Sequence, residues 1–423
     1  MVRAGGQAPA EPHFSASHFS APPPVSCGHG KRPVAKPRRA AFFCLAPFRF
    51  GPVWTPPVAQ VRNDQVKPRP QAELLPTHTP ALFDAAVRRA SELLGAGEVV
   101  ALPTETVYGL AANAWNAGAV SQLYEIKGRP VANPIIVHVG GIEQARRCVR
   151  AWPEAADRLA SAFWPGPLTL VLERAALIPD VVTAGGDTVG IRWSSHPFIQ
   201  AVIRACGFPL AAPSANRSNQ ISPTNASHVQ ESLGTRIPLI VDGGQSQVGI
   251  ESTVLDLTER PTRILRPGMI HAESLAAVLG SRELVVGPTP MSGSDPGAPG
   301  VHGTKPLRSP GQLERHYAPR ARLLLLRWRD DEDLRAQLAS LGCASKRCAV
   351  LAYANIPSSQ SGWLVSVVPH DAEAYARALY AEMHRCDAER VDCLVIEALP
   401  DGPEWQGIAD RLRRAASPSR GCD

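Results

Sequence analysis

The sequence predicts an α/β chain with two folded domains: a twisted mixed sheet with flanking helices, then a smaller domain of alternating strands and helices. Three observations predict it. Short apolar strand candidates alternate with stretches of helical apolar period from residue 80 to residue 416. Residues 286–312, VGPTPMSGSDPGAPGVHGTKPLRSPGQ, form a Gly/Pro/Ser-rich linker between two such series. A length of 423 residues suits about two or three domains, and no apolar run nears the ~18 residues of a membrane span.

The elements follow in chain order. Residues 1–75 are rich in Pro, Ser, Ala and Arg, and Pro22-Pro23-Pro24 and Pro56-Pro57 exclude regular structure there. We read them as a disordered extension or a coding start placed too far upstream. Their Arg-rich, acid-poor composition also suits an organelle transit peptide, although so many prolines spoil a targeting helix. The first domain spans 78–285. It opens with a helix over Leu82–Leu94, stopped by Gly95 or Gly97. Strands are expected at Val99–Leu102, Pro134–Val139, Leu168–Glu173, Val189–Trp193, Leu210–Ala212, Ile237–Val241 and Ser252–Leu257. Helices are expected at Ala117–Ile126, Ile142–Ala151, Pro153–Ala162, Pro197–Ala205, Asn225–Leu233 and Ser274–Leu279, and the run after Gly109 also reads as helical. The linker, over 286–319, ends in His316-Tyr317-Ala318-Pro319. The second domain, 320–418, alternates strands (Leu323–Leu326, Cys348–Tyr353, Leu364–Val368, Val391–Glu397) with helices (Asp331–Leu341, Ala372–Cys386, Gln406–Ala416), a Rossmann-like pattern without a GxGxxG loop.

Charge and cysteine usage narrow the function classes. Residues 1–75 hold ten Lys/Arg against three Asp/Glu, a charge of +7, so the remainder carries −1 of the net +6. The folded part is close to neutral, and any attraction to nucleic acid must come from a local patch or from the extension. The nine cysteines include no CxxC pair, which reads as reduced thiols and neither a disulfide framework nor a zinc site.

Chemistry concentrates between Val99 and Val139. A short strand ends in Pro103 and a cluster of Thr104, Glu105, Thr106 and Tyr108. Lys127-Gly128-Arg129-Pro130 follows as a basic turn, then Asn133 and an apolar strand ending at His138. Ligands of open α/β sheets sit outside strand ends of this kind, and Lys and Arg beside glycine suit a polyphosphate. Each piece also has a plainer reading: a solvated basic turn, a helix cap at the threonines, a satisfied strand-end histidine. Arg192 stands in an apolar strand after Gly185-Gly186, so it needs an anionic partner, either a substrate or an internal salt bridge. Ala211-Ala212-Pro213-Ser214-Ala215-Asn216 puts small residues, then hydroxyl and amide groups, at another strand end. Trp164-Pro165-Gly166-Pro167 reads as a structural turn. The Walker loop, the dinucleotide fingerprint and the kinase signature set are all absent.

The motifs PTETVYGL, KGRPxxNPIIVH, WPGPLTLVL, AAPSAN, ESTV and LRPG occur in that order over roughly residues 80–285, and HYAP follows the linker. With these residues the chain resembles the threonylcarbamoyl-AMP synthases, proteins of YrdC-like fold, in their long two-domain form. The resemblance implies ATP contacts at Lys127, Arg129, Asn133, Thr188, Ala212, Ser214, Asn216, Ser222, Arg266 and Tyr317, with Asn216 orienting its loop. It implies L-threonine contacts at Thr106, His138, Arg192 and Ser252. Lys127 and Arg129 would act electrostatically on the reacting phosphates, with Mg2+ held mainly by phosphates and water. The implied reaction joins L-threonine, bicarbonate or CO2 and ATP into L-threonylcarbamoyl-AMP and pyrophosphate, in the cytoplasm. Separate transferase proteins would use the product to modify tRNA, and weak binding of tRNA or double-stranded RNA belongs to the same picture. Ala111 replaces a frequent family Gly and Gln312 a frequent Met. Two rivals share the fold: a nucleic-acid-binding module without catalysis, and a carbamoyl-AMP enzyme of the hydrogenase-maturation type. The second carries zinc-finger-like cysteines and an acylphosphatase-like segment, and this chain shows neither.

Overall fold

A computed structural model describes residues 70–280, 284–287, 307–311 and 315–417. The expectations for residues 1–69, for 288–306 and for Gln312 lie outside them. The sheet begins earlier than composition suggests. β1 (Glu73–Pro76) pairs in parallel with β8 (Leu239–Asp242), so residues 73–75 belong to the fold and not to the extension. α1 (Pro80–Gly95) starts where Thr79 accepts a hydrogen bond from the Leu82 amide and Pro80 supplies the first helical turn.

β2 (Val100–Leu102) and β3 (Gly109–Asn113) form an antiparallel pair across the 103–108 loop. The run after Gly109 is therefore a strand where a helix was expected. Its Gly-Leu-Ala-Ala composition favours helix locally, but burial against β2 and β7 (Leu210–Ala211) decides the outcome. α2 (Ala117–Lys127) is capped by Asn116 and ends at Gly128, whose φ of 61° is the left-handed conformation that closes a helix. The expected strand from Pro134 shrinks to β4 (Val137–His138), because its earlier residues spend their hydrogen bonds elsewhere. The Pro134 carbonyl accepts from Arg129, and the Ile135 amide donates to Val182.

The remaining elements are α3 (Ile142–Cys148), α4 (Glu154–Phe163), β5 (Leu168–Glu173), α5 (Asp180–Thr183), β6 (Thr188–Arg192), α6 (Pro197–Cys206), α7 (Ala226–Leu233), β9 (Thr253–Asp256), β10 (Thr262–Arg266), α8 (Ala272–Leu279) and β11 (Leu284–Val286). The sheet order is β1-β8-β2-β3-β7-β4-β6-β5-β9-β10-β11, with parallel and antiparallel pairs intermixed as expected. α1 and α6 cover one face through Leu94, Phe198 and Val202, and a larger core around Leu123, Leu159 and Leu170 covers the other.

In the second domain, β12 (Arg322–Leu326), β13 (Cys348–Ala352), β14 (Leu364–Val367) and β15 (Cys393–Glu397) form an all-parallel sheet in the order β12-β15-β13-β14. β13 and β15, buried along their whole length, fit strands covered on both faces, and β12 and β14 form the edges. The helices α9 (Asp331–Ser340), α10 (Ala372–Ala388) and α11 (Gln406–Ala416) lie close to the expected spans. One apolar cluster joins the two domains: Val107, Ile221 and Ile250 of the first pack with Tyr317 and with Tyr375, Leu379, Tyr380 and Ile408 of the second.

Candidate active site

A cavity opens where the ends of β2, β4, β6, β7 and β10 meet the start of β9, and Pro310, Gly311, His316 and Tyr317 close one side. Of the residues expected at a site, Thr106, Arg129, His138, Arg192, Ala212, Ser214, Ser252, Arg266 and Tyr317 line it. The pairing explains the convergence. His138 sits opposite Arg192 in the parallel β4–β6 register, and β7 places Ala212 beside them. Gly109 leaves room for this approach, since a Cβ there would lie 3.3 Å from that of Ala212.

One end is built around Arg192. Its Nη1 donates to Thr106 Oγ1 at 2.9 Å, and its Nη2 lies 2.7 Å from Glu105 Oε1 without an aligned hydrogen bond. The internal salt bridge is thus real, and it coexists with a place on the cavity wall. Burial alone would raise the Glu105 carboxyl. The Arg192 charge, with hydrogen bonds from the Ser194 hydroxyl and Ser195 amide, instead holds it down at about 2. His138 is buried, its Nδ1 has no partner, and burial with the nearby Arg192 charge pushes its pKa to about 3, so the ring is neutral.

The other end is cationic. Arg129 is oriented by its bonds to the Asn133 carbonyl (3.0 Å), Asn133 Oδ1 (2.7 Å) and Pro134 carbonyl (2.6 Å). Arg266 donates Nε to the Ser252 carbonyl and Nη2 to Ser252 Oγ, both at 3.1 Å, and Thr169 and Ser252 share a hydroxyl bond at 2.8 Å. Tyr317 is buried with no partner on its hydroxyl, and its ring meets that of His316 edge-on at 4.0 Å. Gly311 faces both: a Cβ there would stand 2.7 Å from Tyr317 Oη and 2.8 Å from Arg266 Cδ.

Five expected residues do not line the cavity. Lys127 donates Nζ to the Ser214 and Asn216 carbonyls, both at 2.5 Å, and so holds the 214–216 loop from behind. Burial and the charge of Arg129 push its ammonium well below the usual lysine range. Asn216 braces the same loop, donating Nδ2 to the Arg217 and Gln220 carbonyls, and Asn133 acts through Arg129. Ser222 donates to Glu251 Oε1 at 2.5 Å. Thr188 stands at the opposite end of β6 from Arg192, opposite Glu173.

Glu251 at the cavity and Arg411 behind it are residues that sequence reasoning did not single out. Glu251 lines the cavity inside a quoted motif, ESTV, where attention fell on the serine. Arg411 of α11, fully buried, donates Nε to Glu251 Oε2 at 2.7 Å. A signal existed: Arg411 shares the helix face of the buried Ile408, Leu412 and Ala415.

Among the described residues no group of three or more His, Cys, Asp or Glu side chains is placed to hold a metal ion. The two carboxylates at the cavity are committed to arginines. Among the described residues this lining offers a divalent cation no cage of protein ligands, so any such ion would have to be carried by a bound substrate and water. No helix of the described residues is long and apolar enough to cross a membrane.

Known proteins resemble this chain over most of its length. A family model described as telomere recombination (Sua5/YciO/YrdC) matches residues 92–268, and one for the threonylcarbamoyl-AMP synthase C-terminal domain matches 270–417. The threonylcarbamoyl-AMP synthase of Pyrococcus abyssi is 37% identical, covering 78% of this chain and 94% of its own. That of Bacillus subtilis is 40% identical over 79% and 93%. A crystal structure of P. abyssi Sua5 complexed with L-threonine superposes with a TM-score of 0.71 at 35% identity, covering 81% of this chain and 96% of that one. The chain belongs to the threonylcarbamoyl-AMP synthase family.

Proposed function

We propose that this enzyme condenses L-threonine, bicarbonate or CO2, and Mg2+-bound ATP into L-threonylcarbamoyl-AMP, releasing pyrophosphate. The observation that carries the reading is the polarity of one cavity. A neutral histidine, two hydroxyls and an arginine stand at one end, and two arginines and a tyrosine at the other. The first end suits a small amino acid. Arg192 receives the carboxylate on the N–H that lacks an aligned acceptor, and Thr106, Ser252 and the neutral His138 offer hydrogen-bond partners to the amine and hydroxyl. The second end suits a polyphosphate held by Arg129 and Arg266, with Ala212 and Ser214 beside the nucleoside and Tyr317 covering it.

The neutral threonine amine adds to CO2, losing one N–H proton to water, to give a carbamate. A carbamate oxygen then attacks the α-phosphate, and the bond to the β-phosphate breaks as pyrophosphate leaves. No protein nucleophile is needed. Holding the two reactants in line and stabilising negative charge on the phosphate oxygens are the tasks left to the protein. Arg129 meets that charge directly. Lys127 supports it from behind the 214–216 loop, since an incoming polyphosphate favours its protonated form. Asn133, Asn216 and Ser222 serve by fixing Arg129, the loop and Glu251. Thr188 has the weakest claim to a nucleotide contact. The product supplies threonylcarbamoylation of tRNA adenosine by separate proteins in the cytoplasm, with weak tRNA or double-stranded RNA binding as an accessory property.

Incubation of the pure protein with ATP, Mg2+, bicarbonate and labelled L-threonine should yield pyrophosphate and a threonine-containing adenylate by mass spectrometry. Pyrophosphate released equally without threonine, or no adenylate at all, rejects the reading.

A further inference from the structure

The deepest polar contact between the two domains reaches the active site. Arg411 of α11 is completely buried, and its guanidinium spans two segments of the first domain. Nε donates to Glu251 Oε2 at 2.7 Å and Nη2 to the Glu251 carbonyl at 3.1 Å. Nη1 donates to the Pro267 carbonyl at 2.9 Å and to Asp410 Oδ2 at 2.8 Å. Glu251 directly precedes Ser252, and Pro267 directly follows Arg266, so one side chain grips the neighbours of two cavity residues. Its guanidinium carbon also lies 5.2 Å from the centroid of the Tyr317 ring. The backbone fit is equally close: a Cβ on Gly407, one helical turn before Arg411, would lie 2.9 Å from the backbone of Gly268.

We propose that Arg411 is a positioning residue for the nucleotide end of the site, acting by holding Glu251 away from Arg266 and by seating Tyr317. The inference rests on the functional reading above. Glu251 is a buried carboxylate whose other partners are the hydroxyls of Ser222 and Tyr380. Burial opposes its charge, and Arg411 outranks Arg266 among the charges that pull its carboxyl down to about 2. If Arg411 is removed, the strongest charge left acting on that carboxylate is Arg266, the side chain proposed to meet the phosphates. A buried carboxylate cannot stay unpaired, so Glu251 and the nucleotide then compete for one guanidinium. The side chains of Arg192, Thr106 and His138 make no bond to Glu251 or to the second domain. Ser252 links the two ends, since it directly follows Glu251 and accepts from Arg266. Arg411 therefore acts on the ATP end first and reaches threonine through Ser252.

The test compares wild type with Arg411→Lys, Arg411→Met, Glu251→Gln and the double variant Arg411→Met/Glu251→Gln. ATP and threonine KM are measured for each, with ATP binding by calorimetry in parallel and Tm as a control on folding. Arg411→Met should raise the ATP KM and Kd at least about tenfold and leave the threonine KM within about twofold. The double variant should recover most of that loss, because it has no stranded carboxylate to capture Arg266. Arg411→Lys keeps the charge but not the fork, so it should give a smaller shift in the same direction. It also keeps the proposal testable if the methionine variant does not fold. Equal rises in both KM values, an unchanged ATP KM with only a lower Tm, or a double variant worse than Arg411→Met would overturn the assignment. A wild-type protein that binds ATP but makes no threonine-dependent adenylate would reject the functional reading instead, and calorimetry would still decide the role of Arg411.

Discussion

The site contains two buried ion pairs, and they are built in opposite ways. Arg192–Glu105 lies within the first domain, between the end of β6 and the loop after β2, and its hydrogen-bonded neighbours Thr106, Ser194 and Ser195 come from the same two segments. Arg411–Glu251 crosses from the second domain to the first over 160 positions, and its surroundings draw on α10, α11 and the residues before β12. On the proposed reading, the Arg192 pair at the threonine end is self-contained within the first domain, whereas the nucleotide end is completed from outside. A domain that carries no phosphate loop is thereby proposed to take part in nucleotide chemistry, through one arginine.

The largest expected effect tests the self-contained half. Arg192→Ala removes the cation proposed to meet the threonine carboxylate and also strands Glu105. Losing one partner of a buried charge pair costs about 2–5 kcal/mol, or roughly 30- to several-thousand-fold. That loss should appear in the threonine KM, with the ATP Kd by calorimetry little changed. Equal weakening of both substrates would mean that the two halves are not separable.

Gly311→Ala tests the other half from the linker side. Gly311 has φ +83°, and an added Cβ would press on Tyr317 Oη and Arg266 Cδ. The left-handed conformation alone costs a non-glycine residue about 1–2 kcal/mol. Arg308 keeps this segment from retreating. It pairs with buried Asp256 at 3.1 Å and with Glu259, and donates to Thr258 at 2.6 Å. The ATP KM should rise about tenfold and Tm should fall by a few degrees from the strain, with threonine affinity nearly constant. A mirror-image result, with threonine alone affected, would place the nucleotide elsewhere.

Side chains at strand ends were more legible in the sequence than the interdomain pair. Thr106, His138, Arg192, Ser214 and Ser252 lie at strand ends inside short motifs, where local pattern and chemistry point the same way. Arg411 and Glu251 meet only because α11 docks on the 267–268 turn, a tertiary event that leaves no local spacing to read. Strand lengths failed for a related reason. Residues 134–136 look like strand, but they spend their hydrogen bonds on the Arg129 guanidinium, Val182 and Ala212. The 109–113 run is alanine-rich and becomes strand only through its neighbours. The second domain was read closely because its central strands are covered on both faces and its helices are long and periodic.

Acid should separate the halves by stability. Burial pushes His138, His228 and His316 to about 3, and His384 to about 4. Each is neutral when folded but takes up its proton near 6.5 when unfolded. Stability is therefore full above about pH 6.5 and declines as pH falls toward 4, by up to about 1.4 kcal/mol per pH unit for each histidine. Only His138 belongs to the threonine end. His228 and His384 stack at 3.8 Å across the domain boundary, and His316 sits beside Tyr317. In Tm measurements from pH 7 to 4.5, the pair His228→Gln/His384→Gln should flatten the decline more than His138→Gln does. The reverse order would put the acid-sensitive contacts inside the first domain.

The smallest effect concerns the chain's first described residues, and it too should fall on one half. β1 is the edge strand of the sheet, paired with β8, which in turn pairs with β2. β2 runs into the loop that carries Glu105 and Thr106. A chain beginning at Gln71 keeps β1, with Ala72 donating its amide to the Gly234 carbonyl at 2.6 Å, and should match the full chain in Tm and in both KM values. A chain beginning at Pro80 loses the strand and the bond from Thr77 Oγ1 to the Asp242 carbonyl at 2.9 Å. Four ladder positions at an exposed edge should lower Tm by a few degrees, and a looser β8–β2 pair should raise the threonine KM about two- to threefold. The ATP KM should not move, because no residue of β9, β10 or the second domain pairs with β1 or β8. If the shorter chain instead weakens ATP binding, strain crosses the sheet from edge to edge and the two ends of the site are mechanically one.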